Sequence, residues 1–180
     1  GVHVLAFVPG DRLKRFPFYQ GLPTIEAQRG KNPYVSAVEL MHDFGVTDIA
    51  IGDSEASQAT LSQIHLYQEE KIMTLPIVPE PDGQMLIDRT LSVRKDMPEY
   101  LIRLNVKRTP NVPIGKTGER LLGTISQDNL LNGRYSGEVQ ISKTNLPFAR
   151  EANLIGYVHP EYTGLLKFVD GDTRLHFVRA

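Results

Sequence analysis

The first part of the chain alternates short apolar runs with stretches of helical periodicity. Three runs are apolar almost throughout, as in strands covered on both faces: Val2–Val8, residues 46–51 and residues 71–78. Between them, apolar side chains recur at helical spacing, first at Val38, Met41 and Phe44 and then at Leu61, Ile64 and Tyr67. Asn32 and Pro33 predict the start of the first helix, and Gly45 its end. The order β-α-β-α-β predicts a parallel sheet.

The length of this pattern sets the expected fold. Two βα repeats cannot close a sheet by themselves, so we expect the tail of a (β/α)8 TIM barrel, which needs about 250 residues when complete. Pro79–Gly83 predicts a linker, because the pattern changes there. From Gln84 onward, short strand-like segments separated by Gly, Asn and Pro predict a small antiparallel barrel or sandwich. We therefore expect two domains, residues 1–82 and residues 83–180.

Composition narrows the classes of partner and of chemistry. The chain has 20 Lys and Arg against 21 Asp and Glu, a net charge of −1, so we expect neither nucleic acid nor a membrane as a partner. It contains no Cys, which excludes disulfides and thiolate chemistry, and its five His lack metal-ligand spacing. We expect no metal site. Because Gly1 opens the chain directly inside an apolar run, we expect a piece of a longer protein.

Acidic residues follow each of the three apolar runs. In a parallel sheet, ligands bind beyond the carboxyl ends of the strands, and this is where Asp11, Asp53 and Glu80 lie in the pattern. Asp53 is equally well explained as the cap of the next helix. More than twenty residues separate Val8 from the following helix, whereas about 2–6 are usual, and loops of that length commonly bind substrate.

This long loop is rich in side chains that bind ligands. Arg12, Lys14 and Arg15 can meet a phosphate or carboxylate, Phe16, Phe18 and Tyr19 can stack on a ring, and Glu26 adds a carboxylate. The alternative is that the aromatic rings pack against the rest of the domain while the cations stay solvated, and for any single residue this is favoured.

A second polar group, Arg134, Tyr135 and Glu138, lies at a turn before a predicted strand. These side chains can hold a polyhydroxylated or phosphorylated ligand through charge-assisted hydrogen bonds. Alternatively, Arg134 and Glu138 pair with side chains of other strands.

Taken together and in this order, five segments resemble a known family: AFVPGD, GLPTIEAQRG, GVTDIAIGDSEAS, NGRYSGEVQI and EANLIGYV. The family is that of the 6-phospho-N-acetylmuramidases, the MupG-like glycoside hydrolases once catalogued as bacterial outer surface proteins, and the similarity is to its carboxyl-terminal half. The resemblance implies a TIM barrel followed by a cyclophilin-like β-barrel. It also implies hydrolysis, in the cytoplasm and without a cofactor, of the bond between 6-phospho-N-acetylmuramic acid and N-acetylglucosamine during cell-wall sugar recovery.

The resemblance also carries candidate site residues. Asp11, Glu26 and Asp53 match family segments and are the catalytic candidates. The substrate-binding candidates combine loop residues with the matching Arg-Tyr-Ser-Gly-Glu segment: Arg12, Arg15, Tyr19, Arg134, Tyr135 and Glu138.

The expected partners are a phosphorylated amino-sugar disaccharide and the missing amino-terminal part of the barrel, and the oligomeric state is left open. We expect the 180 residues alone to be inactive. Two alternatives stand beside the enzyme. One is a phosphosugar-binding or sensing protein without turnover, and in the other the second domain is only a lid or a dimerisation element.

Overall fold

The computed structural model describes residues 3–180, so Val2, where the first predicted strand begins, lies outside the described residues. The chain divides between Lys71 and Ile72 into two compact units. No helix within the described residues is long and apolar enough to cross a membrane.

In the amino-terminal unit, the described residues form two parallel strands and two α-helices: β1 (Leu5–Val8), α1 (Pro33–Asp43), β2 (Asp48–Ile51) and α2 (Gln58–Glu70). Leu5 lies opposite Asp48 and Val8 lies opposite Ile51. A short 3₁₀ helix, Glu26–Gln28, lies within the long connection between β1 and α1. The core of the unit is built around one side of the strands and the inner side of α1, where Ala6, Val8, Tyr34, Ala37, Val38 and Leu40 are buried.

Local signals set the ends of the helices. The Asn32 side chain accepts hydrogen bonds from the amides of Tyr34 at 3.0 Å and Val35 at 3.2 Å, which confirms the predicted start of α1. Helix α1 ends at Asp43, just before Gly45, whose φ of +62° is left-handed. The cap of α2 is Ser57, so the alternative that Asp53 caps this helix is wrong.

The carboxyl-terminal unit contains seven strands: β3 (Ile72–Pro79), β4 (Arg89–Ser92), β5 (Leu101–Arg103), β6 (Thr124–Asp128), β7 (Val139–Ser142), β8 (Ala152–Val158) and β9 (Arg174–Arg179). Three 3₁₀ helices join them: Pro81–Leu86, Leu130–Tyr135 and Pro160–Phe168. The strand order is β4-β9-β3-β8-β6-β7-β5, with β3 and β9 parallel and the other pairs antiparallel. Just beyond β4 and β5, Val93 and Leu104 form an isolated antiparallel bridge, which links the two outer strands of the sheet.

The predicted tail of a (β/α)8 TIM barrel is wrong. Strands β1 and β2 form a sheet of two strands, and the third apolar run does not extend it. That run is β3, which pairs with β8 and β9 inside the seven-stranded sheet. The physical reason is that burial on both faces makes a run apolar in any central strand, so the pattern identifies the strand and leaves its sheet undetermined.

The expected cyclophilin-like β-barrel over residues 83–180 is corrected as well. The unit is one mixed sheet that includes β3, a strand that ends at Pro79 and precedes the predicted domain start. The strand-like pattern after Gln84 is nevertheless present as six strands, β4 to β9, the last of which is Arg174–Arg179.

Candidate functional site

Asp53, one of the three predicted catalytic carboxylates, organises the long loop after β1. Its side chain is fully buried and accepts hydrogen bonds from the amides of Gly10 at 2.8 Å and Arg15 at 2.9 Å. Burial alone would raise the pKa of Asp53, but these amides, that of Leu22 and the ammonium group of Lys14, 3.7 Å away, hold it below its usual value. Asp53 is therefore a buried anion that fixes the loop.

The glycine beside Asp53 allows the loop to come this close. A Cβ atom at Gly52 would overlap the backbone carbonyl of Leu22, so a larger residue would push the loop away from the strand end. Gly52 thus allows the backbone of the loop to lie close to the end of β2, and Asp53 provides the acceptor for the loop amides.

Asp11 has a similar task at the start of α2. Its carboxylate accepts hydrogen bonds from the amide and the hydroxyl of Ser57, both at 2.6 Å, and from the hydroxyl of Thr60 at 2.8 Å. Burial raises the pKa of Asp11, and the hydrogen bonds from Ser57 and Thr60 outweigh that effect and lower it. Both carboxylate oxygens are occupied within the protein.

Glu26, the third predicted carboxylate, borders a cavity of about 690 Å³ in the same unit. Arg29 binds it through two hydrogen bonds, Nε to Oε1 at 2.5 Å and Nη2 to Oε2 at 2.7 Å, and the Glu26 side chain is 76% exposed. The hydrogen bond from Arg29 lowers the pKa of Glu26. Both apolar and polar residues line the cavity: Arg15, Phe16, Pro17, Phe18, Gln20, Gly21, Leu22, Glu26 and Arg29.

The other predicted loop residues lie in exposed positions. Arg15 lines the cavity, and Arg12 is exposed to solvent. Tyr19 has a left-handed backbone, with φ of +53°, and its ring meets that of Phe16 edge to face at 6.2 Å. Exposed aromatic rings beside a carboxylate and a guanidinium are typical of sugar-binding sites. The rings stack on a face of the sugar, and the charged groups bind its hydroxyl groups.

A second site lies in the carboxyl-terminal unit, where three arginines surround one buried glutamate. We call Arg94, Arg103 and Arg108, with Glu138 and Asp96, the arginine cluster. Glu138 Oε1 is 2.5 Å from Arg103, and its Oε2 is 2.5 Å from Arg108 and 3.1 Å from Arg94. Asp96 binds Arg94 at 2.7 Å and Arg103 at 3.1 Å, and the hydrogen bond from Arg94 lowers the pKa of Asp96.

The backbone explains how these residues meet. The amide of Arg94 donates to the carbonyl of Arg103 at 2.8 Å, beside the bridge between the outer strands. Gly137, directly before Glu138, has φ of +86°, and a Cβ there would overlap the backbone of Thr109. The segment that carries Thr109 and, next to it, Arg108 can therefore lie against the turn before β7 that carries Glu138.

Tyr135 and Arg134 extend the cluster. The guanidinium carbons of Arg134 and Arg108 lie 4.9 Å and 5.3 Å from the centre of the Tyr135 ring, within the range of cation–π contacts. Arg134 also donates to the Tyr135 hydroxyl at 2.8 Å. The predicted substrate-binding residues Arg134, Tyr135 and Glu138 thus form one connected group.

Asp128, which the sequence analysis did not single out, lies next to this group. Gln140 Nε2 donates to Asp128 Oδ2 at 3.3 Å and to Glu138 Oε1 at 3.2 Å, and Asn132 donates to Asp128 at 2.6 Å. Burial raises the pKa of Asp128 to about 6, and the charge of Glu138 acts in the same direction.

Sequence reasoning also missed the three arginines of the cluster and Arg29. The one available signal was the proposed pairing of Glu138 with side chains of other strands, which the structure shows. Glu80 forms an ion pair with Lys116. Within residues 3–180, no group of three or more His, Cys, Asp or Glu is placed to hold a metal ion.

Two family models match the chain in the order of its units. The model described as 6-phospho-N-acetylmuramidase, N-terminal, matches residues 1–66, and the model described as 6-phospho-N-acetylmuramidase, C-terminal, matches residues 72–178. The chain belongs to the 6-phospho-N-acetylmuramidase family. The second match begins at residue 72, where the carboxyl-terminal unit of the structure also begins.

Solved structures also resemble this member of the 6-phospho-N-acetylmuramidase family. A conserved protein of unknown function from Enterococcus faecalis is 30% identical, with a TM-score of 0.87 over 99% of this chain and 50% of its own. An uncharacterized B. cereus protein is 22% identical, with a TM-score of 0.79 over 99% of this chain and 55% of its own. The chain therefore spans about half the length of these two proteins. No curated protein shows a significant sequence match.

Proposed function

We propose that the protein is a glycoside hydrolase that cleaves the bond between 6-phospho-N-acetylmuramic acid and N-acetylglucosamine. The observation that carries the proposal is the match of both units to the two 6-phospho-N-acetylmuramidase family models. As part of the same proposal, the reaction takes place in the bacterial cytoplasm and recovers cell-wall sugars.

Within the amino-terminal unit, Glu26 is the carboxylate that we assign to the reaction. Of the three predicted catalytic carboxylates, it is the one that lines the cavity, and its side chain is largely exposed although Arg29 binds it. The Asp53 side chain is fully buried, and Asp11 is not among the residues that line the cavity. Because Arg29 lowers its pKa, Glu26 is ionised at neutral pH. An ionised carboxylate suits the nucleophile or the general base of a glycosidase and does not suit its general acid.

The test uses the protein as its complete gene encodes it. It is incubated with 6-phospho-N-acetylmuramyl-N-acetylglucosamine, and the release of N-acetylglucosamine is measured by chromatography. We expect release by the wild type and a loss of at least a hundredfold in Glu26→Gln. Glu69→Gln, an exposed glutamate of α2, is the matched control and should retain the wild-type rate. No release by the wild type would end the proposal, and full activity of Glu26→Gln would remove Glu26 from the mechanism.

A second candidate function is the binding of a phosphosugar without turnover. The observation that favours it is the internal use of Asp11 and Asp53, since the loss of two candidate carboxylates to structural hydrogen bonds leaves fewer groups for catalysis. This alternative predicts a rise in melting temperature with 6-phospho-N-acetylmuramic acid and no product from the disaccharide.

A further inference from the structure

We propose that the arginine cluster, together with Arg134, binds the phosphate group of a 6-phosphorylated amino sugar. The choice of ligand rests on the proposed function, whereas the site itself rests on the geometry of the carboxyl-terminal unit.

The charges of the cluster do not cancel. The three arginines of the cluster and Arg134 supply four positive charges, and Glu138 and Asp96 supply two negative ones, which leaves a sum of +2. Asp128, joined to Glu138 through Gln140, reduces the sum to +1 when it is ionised. A phosphate monoester carries about −1.5 to −2 at neutral pH, so its charge complements this surplus.

Hydrogen-bond donors remain at the solvent side of the cluster. A guanidinium has five N–H donors. Arg108 makes two hydrogen bonds in the described part of the chain, to Glu138 and to the carbonyl of Arg134, and its side chain is 36% exposed. Arg134 is exposed and donates to the Tyr135 hydroxyl. Guanidinium groups with donors left over bind phosphate oxygens in pairs, with the geometry that favours arginine over lysine.

Glu138 holds the arginine side chains in position and leaves some of their N–H donors unused. Three guanidinium groups repel one another, and the buried carboxylate holds them at 2.5 to 3.1 Å in fixed positions before any ligand arrives. The two oxygens of Glu138 offer about four acceptor positions, which Arg94, Arg103, Arg108 and Gln140 share. The carboxylate thereby fixes the three guanidinium groups, and the N–H donors that it does not accept remain for Asp96 and for a ligand.

Space for a sugar lies beside the cluster. A cavity of about 580 Å³ is lined in part by Ser92, Arg94, Lys95, Asp96 and Asn105. This volume is within the range of small-molecule sites, roughly 300 to 1,000 Å³. The hydroxyl and amide groups of Ser92 and Asn105 can meet the hydroxyl groups of a sugar while Arg94 faces its phosphate.

The experiment measures binding by calorimetry with three probes: 6-phospho-N-acetylmuramic acid, N-acetylmuramic acid and inorganic phosphate. The two sugars share a carboxylate and differ only in the phosphate. We expect the wild type to bind the phosphorylated sugar at least tenfold more tightly than either other probe. Arg94→Gln and Arg108→Gln should each remove most of that preference, and Arg89→Gln, an exposed arginine at the far end of β4, should keep it.

Equal binding of the two sugars by the wild type, or an unchanged preference in both cluster variants, would overturn the proposal. Binding of inorganic phosphate as tightly as the sugar phosphate would overturn the assignment to a phosphosugar. If the variants do not fold, the Nε–H signals of the wild-type arginines are followed by NMR. Shifts of the cluster signals with the phosphorylated sugar alone support the site, and unmoved signals contradict it.

The failure of this inference is distinguishable from the failure of the proposed function. Release of N-acetylglucosamine with no phosphate preference would leave the hydrolase and remove the site. A phosphate preference that depends on Arg108, without release, would leave the site and remove the hydrolase.

Discussion

Asp11 and Ser57 are joined by two hydrogen bonds of 2.6 Å, one from the amide and one from the hydroxyl of Ser57. Ser57 is itself the cap of α2, and its hydroxyl accepts from the amide of Thr60 at 3.2 Å. Ser57 thus caps the first turn of α2, and the carboxylate of Asp11, far away in the sequence, fixes the position of Ser57. The start of the long loop after β1 is fastened to α2 by the same contact.

This relationship makes the role of Asp11 measurable. We expect Asp11→Ala to lower the free energy of unfolding by about 1–2 kcal/mol, because the cap loses its support. A double-mutant cycle with Ser57→Ala, measured by urea unfolding, should give a coupling of at least about 0.5 kcal/mol. Normal stability of Asp11→Ala combined with lost hydrolysis would instead assign Asp11 to the chemistry.

Asp53 should matter more for stability than Asp11. Asp53→Ala leaves the amides of Gly10 and Arg15 without their acceptor in a buried place, so we expect a loss of about 2–4 kcal/mol. Urea unfolding measures it, and the exposed Asp43→Ala is the control, with a change within about 0.5 kcal/mol. Similar small losses in both variants would show that the loop does not depend on Asp53.

Asp128 gives a pH-dependent prediction. Its folded pKa of about 6 exceeds the ordinary value of 3.8, so between these values the folded state binds more protons than the unfolded state. Stability therefore falls as pH rises through this window. We expect Asp128→Asn to match the wild type near pH 4 and to exceed it by about 2–3 kcal/mol at pH 7, because the amide remains neutral.

The measurement for Asp128 is urea unfolding at pH 4, 5, 6 and 7. The exposed Asp82→Asn serves as the control in the same unit. A gain for Asp128→Asn that is the same at every pH, or an equal pH-dependent gain for Asp82→Asn, would contradict the prediction.

Glu138 should show the repulsion among the arginines. Glu138→Gln removes a buried charge from between Arg94, Arg103 and Arg108, so we expect a loss of about 3 kcal/mol in low salt. Because salt screens repulsion among partly exposed charges, the loss should shrink in 1 M NaCl. Unfolding of wild type and variant in 0.05 M and 1 M NaCl tests this, and a loss that does not change with salt would argue against it.

Local features were predictable from sequence, and long-range ones were not. The start of α1 follows from Asn32 and Pro33, whose influence reaches only a few residues along the chain. The role of Asp53 does not follow in this way, since a cap and a loop anchor present the same residue at the same place. Asp53 accepts hydrogen bonds from the amides of Gly10 and Arg15, and not from the start of α2, because the long loop folds back over the end of β2.

The arginine cluster illustrates the same limit at larger separation. Arg94, Arg103 and Arg108 come from three segments, and Glu138 from a fourth. They meet through the pairing of β5 with β7 and through the bridge beside β4, and neither pairing has a signature within a single segment. The sequence therefore predicts Glu138 as a candidate from its local segment, whereas its three arginine partners cannot be predicted in this way.

The position of β3 also decides where the gene can be divided. The proline-rich stretch from Pro79 is where the sequence pattern suggests that a fragment of the carboxyl-terminal unit should begin. Such a fragment lacks β3, the strand between β8 and β9, and its unpaired strand edges are prone to self-association. A fragment that starts at Ile72 keeps all seven strands of the sheet and the pairings between them. The bond between Lys71 and Ile72 is therefore the position at which an expression fragment can begin without losing a strand of the seven-stranded sheet.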